Sequence, residues 1–177
     1  FMEKVVRRAN LHDSCGILLE YILPTTSKRI DFLISGEDQY GNKNFVIVEL
    51  KQWEVAQATE LDGVVSTFIN GGIRETTHPS YQVNSYKNLL EDFNGNIIDR
   101  HLTPYACAYL HNYKEQSPEP LKNNIYQNII SKAPIYFKDD YAKLEKFLND
   151  HVRFGNGEDI LYLIDSGKIK PSKKMID

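Results

Sequence analysis

The fold of this chain is decided by residues Arg29-Ile30-Asp31-Phe32-Leu33-Ile34 and Phe45-Val46-Ile47-Val48-Glu49-Leu50-Lys51. Both runs are rich in β-branched and aromatic residues, and the polar, glycine-bearing segment 36–43 separates them. They predict strands over 28–35 and 44–52 that pair as an antiparallel hairpin. The first strand begins near an aspartate and the second ends in Glu-x-Lys. Two carboxylates and an ammonium are costly to bury in apolar strands unless they are paired or bind a metal.

Side chains alternate along a strand, so Glu49 and Lys51 share one face. Folding the chain back about Tyr40-Gly41 brings Asp31 opposite the segment from Glu49 to Lys51. The two carboxylates and the Leu50 carbonyl are hard oxygen ligands of the kind that Mg²⁺ or Mn²⁺ prefers. Lys51 would position or deprotonate a water, or neutralise charge in a transition state. The pattern predicts metal-dependent phosphodiester chemistry, and the alternative is a surface strand end with an ordinary Glu49–Lys51 ion pair.

Composition narrows the class of protein. The chain has 177 residues, of which 41% are hydrophobic and 25% charged, so a single globular domain with a substantial core is expected. Its net charge of −3 excludes a protein that coats nucleic acid by bulk positive charge. A nucleic-acid site must therefore be a local patch or belong to a neighbouring domain.

Cysteine and histidine usage gives no sign of zinc, because Cys15 and Cys107 lie far apart and the five histidines are scattered. No apolar run is long enough to span a bilayer, and no signal-peptide pattern is visible. We therefore expect no membrane association and a location in the cytoplasm.

The rest of the chain alternates helical and strand patterns, which predicts an α/β domain with a mixed central β-sheet flanked by helices. The segment 54–62 is ambiguous. Helices are expected over 13–21, 79–93, 121–131, 140–151 and 159–164, and further strands over 64–70, 103–111 and 133–137.

A second group of residues lies on the predicted helix that begins at His78-Pro79. Gln82 and Tyr86 are spaced i, i+4, so they share one helix face. Together with Asp31 and Glu49-x-Lys51 they resemble the PD-(D/E)XK nuclease superfamily, specifically its RecB-like and lambda-exonuclease-like branch. The resemblance implies a restriction-endonuclease-like core.

In that branch, the glutamine and tyrosine help to hold the site and contact nucleic acid near the metals. The resemblance thus implies catalytic roles for Asp31, Glu49, Lys51, Gln82 and Tyr86, with Mg²⁺ or Mn²⁺ as cofactor. The alternative for the helix pair is that Tyr86 belongs to the core and Gln82 is a solvated surface residue.

Relatives often carry one more acidic residue on a helix before the first strand, and Glu20 is the candidate here, with a solvated helix end as the alternative. Lys28 and Arg29 are candidates for a rim that contacts phosphates. Trp53 lies just beyond the Glu-x-Lys motif, where it either packs or stacks on a base. The chain departs from the superfamily pattern by having Ile30 before the aspartate in place of a proline.

At finer grain, the segments 23–31, 48–53 and 167–173 and the pair His78-Pro79 look like one bacterial family. Its members carry an N-terminal nuclease-like domain followed by a P-loop helicase or ATPase domain, and they are described as Schlafen-like or of unknown function. The resemblance implies that 1–167 is the nuclease-like domain and that 168–177 is linker-like, leading toward an ATPase domain. This chain has no Gly-x-x-x-x-Gly-Lys-Ser/Thr motif.

Three functions are therefore compatible with these patterns. The first is a Mg²⁺-dependent nuclease that works with a fused motor domain, with DNA favoured over RNA as its substrate. The second keeps the fold without catalysis and binds nucleic acid or a protein partner. The third is an unrelated α/β enzyme or small-molecule binder, which would require Asp31 and Glu49 to lie far apart.

Overall fold

The computed structural model describes residues 2–23 and 26–167 of the chain. Three short 3-10 segments, Pro120–Lys122, Asn124–Tyr126 and Lys138–Asp140, supplement the regular elements. In chain order these elements are α1 Met2–Arg8, β1 Gly16–Ile22, β2 Arg29–Glu37, β3 Lys43–Lys51, β4 Gln57–Ala58, β5 Val64–Ile69, β6 Gly72–Thr77, α2 Pro79–Phe93, α3 Gly95–Asp99, β7 Thr103–Leu110, α4 Gln127–Lys132, β8 Ile135–Phe137, α5 Tyr141–Val152 and α6 Gly157–Ser166.

The main sheet has five strands in the order β1-β2-β3-β7-β8. Strands β1, β2 and β3 pair antiparallel, whereas β7 is parallel to both β3 and β8. Strand β3 is the central strand, and its residues from Asn44 to Glu49 are buried. This burial explains why the strand is apolar on both faces. The predicted α/β architecture with a mixed sheet is confirmed.

Helices cover both faces of the main sheet. On one face, α2, α3 and α6 contribute Val83, Ile97 and Ile164 to a core that includes Phe45 and Ile47 of β3. On the other face, α1 and α5 pack against the alternate residues of the same strand. The predicted helix at Pro79 is confirmed, with His78 as its N-cap.

Helix α6 approaches the sheet closely at its first residue. A Cβ added to Gly157 would clash with the backbone nitrogen of Gly16 and the backbone oxygen of Ser35, so only glycine fits there. The Ser35 hydroxyl donates a buried hydrogen bond of 2.6 Å to the Gly157 carbonyl. This contact anchors α6 across β1 and β2.

A second, three-stranded antiparallel sheet is inserted between β3 and α2, in the order β4-β5-β6. Strand β5 confirms the strand predicted over 64–70, and β6 was not predicted. The two strands are joined at Asn70-Gly71, where both φ angles are positive, 52° and 81°. Positive φ at both positions is what a tight hairpin turn of type I′ requires.

The helix predicted over 13–21 is wrong, because this segment forms the edge strand β1. Leu18 and Tyr21 both pack against the core although they are three residues apart. Glu20 between them has a left-handed φ of 54°, and the pairing of β1 with β2 continues past it. The resulting three-residue spacing resembles a helical period. Consequently Glu20 lies on a strand and not on a helix.

Other boundaries also differ. The helix predicted over 121–131 consists of two 3-10 segments and then the short α4, and α1 and α3 were not predicted. The expected linker 168–177 lies outside the described residues. Within the described part of the chain, no helix has the length and hydropathy needed to cross a bilayer.

Candidate active site

The register of the hairpin brings the two predicted carboxylates together. Phe32 pairs with Val48, so Asp31 follows opposite Glu49 at the end of the paired segment. The Leu50 N–H donates a hydrogen bond of 2.9 Å to the Asp31 Oδ2 atom. An aspartate side chain thus accepts from a strand N–H where a backbone carbonyl ordinarily would. The arrangement expected from folding about the turn is the one observed.

Glu49 is a buried ionisable group of the site with a strongly raised pKa. It is only 5% exposed, and its Oε1 atom lies 3.4 Å from the Lys51 ammonium. Its Oε2 atom is buried and has no hydrogen-bond partner among the described residues. Burial raises the pKa of Glu49 to about 7, the Asp31 charge adds to the rise, and the Lys51 ammonium opposes it.

The Asp31 and Glu49 carboxyl groups are close enough for a side-chain hydrogen bond when one of them carries a proton. The wide separation of the two residues that the third function requires is therefore not observed. Two adjacent carboxylates, one with an unpartnered buried oxygen, form a donor set that suits a hard divalent cation. The Leu50 carbonyl points to the same side of β3 as its N–H, since both groups of a strand residue face the same neighbour. Asp31, Glu49 and Leu50 therefore fit the predicted Mg²⁺ or Mn²⁺ ligands.

Glu20 does not join this pair. Its side chain is 70% exposed, and its Oε1 atom lies 3.7 Å from the Arg29 guanidinium. Both residues line the rim of a cavity of about 950 Å³ that also reaches Asp31. Among the described residues, no group of three His, Cys, Asp or Glu side chains is arranged to hold a metal ion. The interpretation of Glu20 as a solvated residue therefore fits the structure better than its role as a ligand.

Helix α2 brings its predicted pair near the carboxylates. The Gln82 Nε2 atom donates a hydrogen bond of 2.7 Å to the Tyr86 hydroxyl. Tyr86 is 6% exposed, and its pKa is raised by burial and further by the charges of Glu49 and Asp31. The Lys28 ammonium lies 6.0 Å from the centroid of the Tyr86 ring. Tyr86 is thus both part of the core and in electrostatic contact with the site.

One part of the surroundings was not expected from the sequence. Phe68 of β5 and Ile73 of β6 are exposed beside Trp53, which lies two residues beyond the end of β3. The signal for this hairpin is the Asn-Gly pair at 70–71 between apolar positions.

Comparisons of this chain with protein-family models, with curated proteins and with solved structures gave no match. Any function proposed for the chain therefore depends on the residues of the site and their geometry.

Proposed function

We propose that this chain is a divalent-metal-dependent nuclease domain that hydrolyses phosphodiester bonds in nucleic acid, with DNA favoured over RNA as the substrate. The observation that carries the proposal is the end of the β2–β3 hairpin. There Asp31 and Glu49 are adjacent, and Lys51 lies against the buried Glu49 carboxylate. A cluster of charged side chains is costly to bury in a core. The buried Glu49 Oε2 atom, which has no hydrogen-bond partner among the described residues, suits a cation.

Asp31, Glu49 and the Leu50 carbonyl would hold Mg²⁺ or Mn²⁺. When bound, such an ion supplies Lewis-acid polarisation of the scissile phosphate and lowers the pKa of a water. The protein's own part is to keep the two carboxylates side by side. It does so by pairing β2 with β3 and by donating the Leu50 N–H to Asp31.

Lys51 would orient the attacking water or neutralise charge that develops on the phosphate. Its side chain is 21% exposed, so it reaches both the buried carboxylate and a substrate outside. Gln82 would hold the Tyr86 hydroxyl toward the site through their hydrogen bond. Lys28 and Arg29 are both exposed and border the site, where they would contact phosphates on either side of the scissile bond.

A second candidate is a non-cleaving module of the same fold that binds nucleic acid or a protein partner. It is favoured by one observation: Glu20 pairs with Arg29, so, of the residues that the structure describes, only two side-chain carboxylates face each other at the strand ends. Cooperation with a fused P-loop ATPase or helicase domain and a cytoplasmic location complete the proposal. The first depends on the sequence resemblance alone, and the second on the sequence patterns described above.

The test is a cleavage assay on labelled single- and double-stranded DNA and RNA with Mg²⁺ or Mn²⁺. We expect cleavage by the wild type and a loss of about 100-fold or more in Lys51→Ala and Glu49→Gln. The matched control is Lys114→Ala, since Lys114 is an exposed lysine outside the site. Wild-type rates in both site variants would refute the nuclease, and binding without cleavage at saturating Mn²⁺ would favour the second candidate.

A further inference from the structure

Two mainly apolar depressions meet where β3 ends. The first reaches Asp31 and Leu50 and has Val6 and Leu19 in its wall. The second, about 730 Å³ in volume, lies against the inserted three-stranded sheet. Gln52, the residue after Lys51, lines both of them. A nucleic-acid strand that places one phosphate at the carboxylate pair would therefore extend into one depression on each side of that phosphate.

The second depression has an ordered apolar floor. Phe68 pairs with Ile73 across the β5–β6 hairpin. The Thr67 hydroxyl donates a 2.7 Å hydrogen bond to the Val55 carbonyl, which holds Val55 alongside the same strand. Val55, Phe68 and Ile73 are 48%, 56% and 66% exposed, whereas Thr67, on the opposite face of β5, is 2% exposed. This apolar row therefore faces solvent, whereas Val65 and Thr67 on the other face of β5 are buried.

Trp53 forms the wall of this depression that is nearest to the carboxylates. It packs partly against the core beneath the inserted sheet. The Lys51 ammonium lies 5.7 Å from the centroid of its ring. Among the described residues, Glu54 is the only acidic residue in the lining. It repels phosphates, so a nucleic-acid backbone would run on the Lys51 side and direct its bases toward Trp53 and Phe68.

This chemistry distinguishes between classes of nucleic acid. In a duplex the base faces are stacked on one another, and an approaching protein meets phosphates and groove edges. In a single strand the bases are free to stack on aromatic side chains. Apolar walls beside a phosphate site therefore gain contacts with an unpaired strand and gain little with a duplex.

We propose that the depression formed by Trp53, Val55, Phe68 and Ile73 is a nucleobase-binding subsite that takes unpaired bases next to the scissile phosphate. The substrate class is accordingly single-stranded nucleic acid or an unpaired end. The inference rests on the proposed function for the position of the phosphate, and its test is a binding measurement that needs no cleavage.

Trp53 is the single tryptophan of the chain, so intrinsic fluorescence reports on this subsite directly. The wild type in EDTA is titrated with a single-stranded oligonucleotide of about 12 nucleotides, within the range of site sizes known for single-strand binders. We expect quenching by the single strand and none by a blunt duplex of the same sequence at equal concentration. Phe68→Ala should weaken single-strand binding about 10-fold.

Phe154→Ala is the matched control, because Phe154 is an exposed phenylalanine that bridges Glu37 at the other end of β2. Ile73→Ala serves as a second variant if Phe68→Ala does not fold. Equal quenching by the duplex, unchanged fluorescence with every oligonucleotide, or an equal loss in the Phe154 control would overturn the subsite. Quenching without cleavage in Mg²⁺ or Mn²⁺ would uphold the subsite and refute the nuclease, whereas cleavage without quenching would do the reverse.

Discussion

Replacing Glu49 with glutamine should stabilise the metal-free protein at alkaline pH while abolishing cleavage. The pKa of Glu49 is raised from 4.5 to about 7 in the folded protein, so the folded state holds a proton that the unfolded state releases. Stability is therefore lost as the pH rises from about 4.5 to about 7. One pKa unit corresponds to about 1.36 kcal/mol, so the loss amounts to about 3 kcal/mol.

Glutamine carries no charge at any pH, so Glu49→Gln removes this loss. In EDTA at pH 8 we expect its free energy of unfolding to exceed that of the wild type by about 2 to 3 kcal/mol, and at pH 4 to differ by less than about 1 kcal/mol. Urea unfolding followed by circular dichroism at both pH values measures the difference. His78, whose pKa is lowered by burial, titrates in both proteins and cancels from the comparison.

Adding Mg²⁺ or Mn²⁺ at pH 8 should stabilise the wild type and not the variant, because a ligand stabilises the state that binds it. Glu60→Gln is the control, since Glu60 is exposed and lies outside the site. The reasoning is refuted if Glu49→Gln is less stable than the wild type at pH 8, or if both proteins show the same change between pH 4 and pH 8.

Three further predictions follow from individual contacts. Tyr86→Phe removes the hydroxyl that Gln82 contacts and should lower cleavage about 10-fold or more while unfolding changes by less than about 1 kcal/mol; unchanged cleavage would exclude a role of the hydroxyl. His78→Ala removes the cap of α2 and leaves the buried Leu121 carbonyl without its 2.9 Å partner. Chemical denaturation should therefore show a free energy of unfolding lower by about 2 to 4 kcal/mol, and a decrease below about 1 kcal/mol would contradict this. Gly157→Ala should lower stability by about 3 kcal/mol or more in thermal melts because the added Cβ meets backbone atoms, and a small effect would show that α6 can move away from the sheet.

The sequence was sufficient for the central hairpin because local rules govern it. The turn near Tyr40-Gly41 fixes the register, and the period of two fixes the faces, so the meeting of Asp31 with Glu49 follows from counting residues. The helix bearing Gln82 and Tyr86 was equally predictable from the sequence, since a proline marks its start and an i, i+4 spacing sets its face.

Strand β1 and the position of Glu20 could not be predicted in the same way. An edge strand with a left-handed residue in its middle shows neither regular alternation nor a true helical period, and only pairing with β2 made it a strand. Glu20 consequently lies beside Arg29 and not beside the other carboxylates.

The sequence by itself determined the residues of the candidate site and the hairpin that presents them, because both depend on contacts between near neighbours in the chain. The tertiary structure decided how deeply Glu49 is buried, and hence the direction and size of its pKa shift. It also decided that Trp53 and Phe68 form the wall and floor of one depression next to Lys51. Burial and juxtaposition depend on how elements distant in sequence pack together, and no local pattern specifies them.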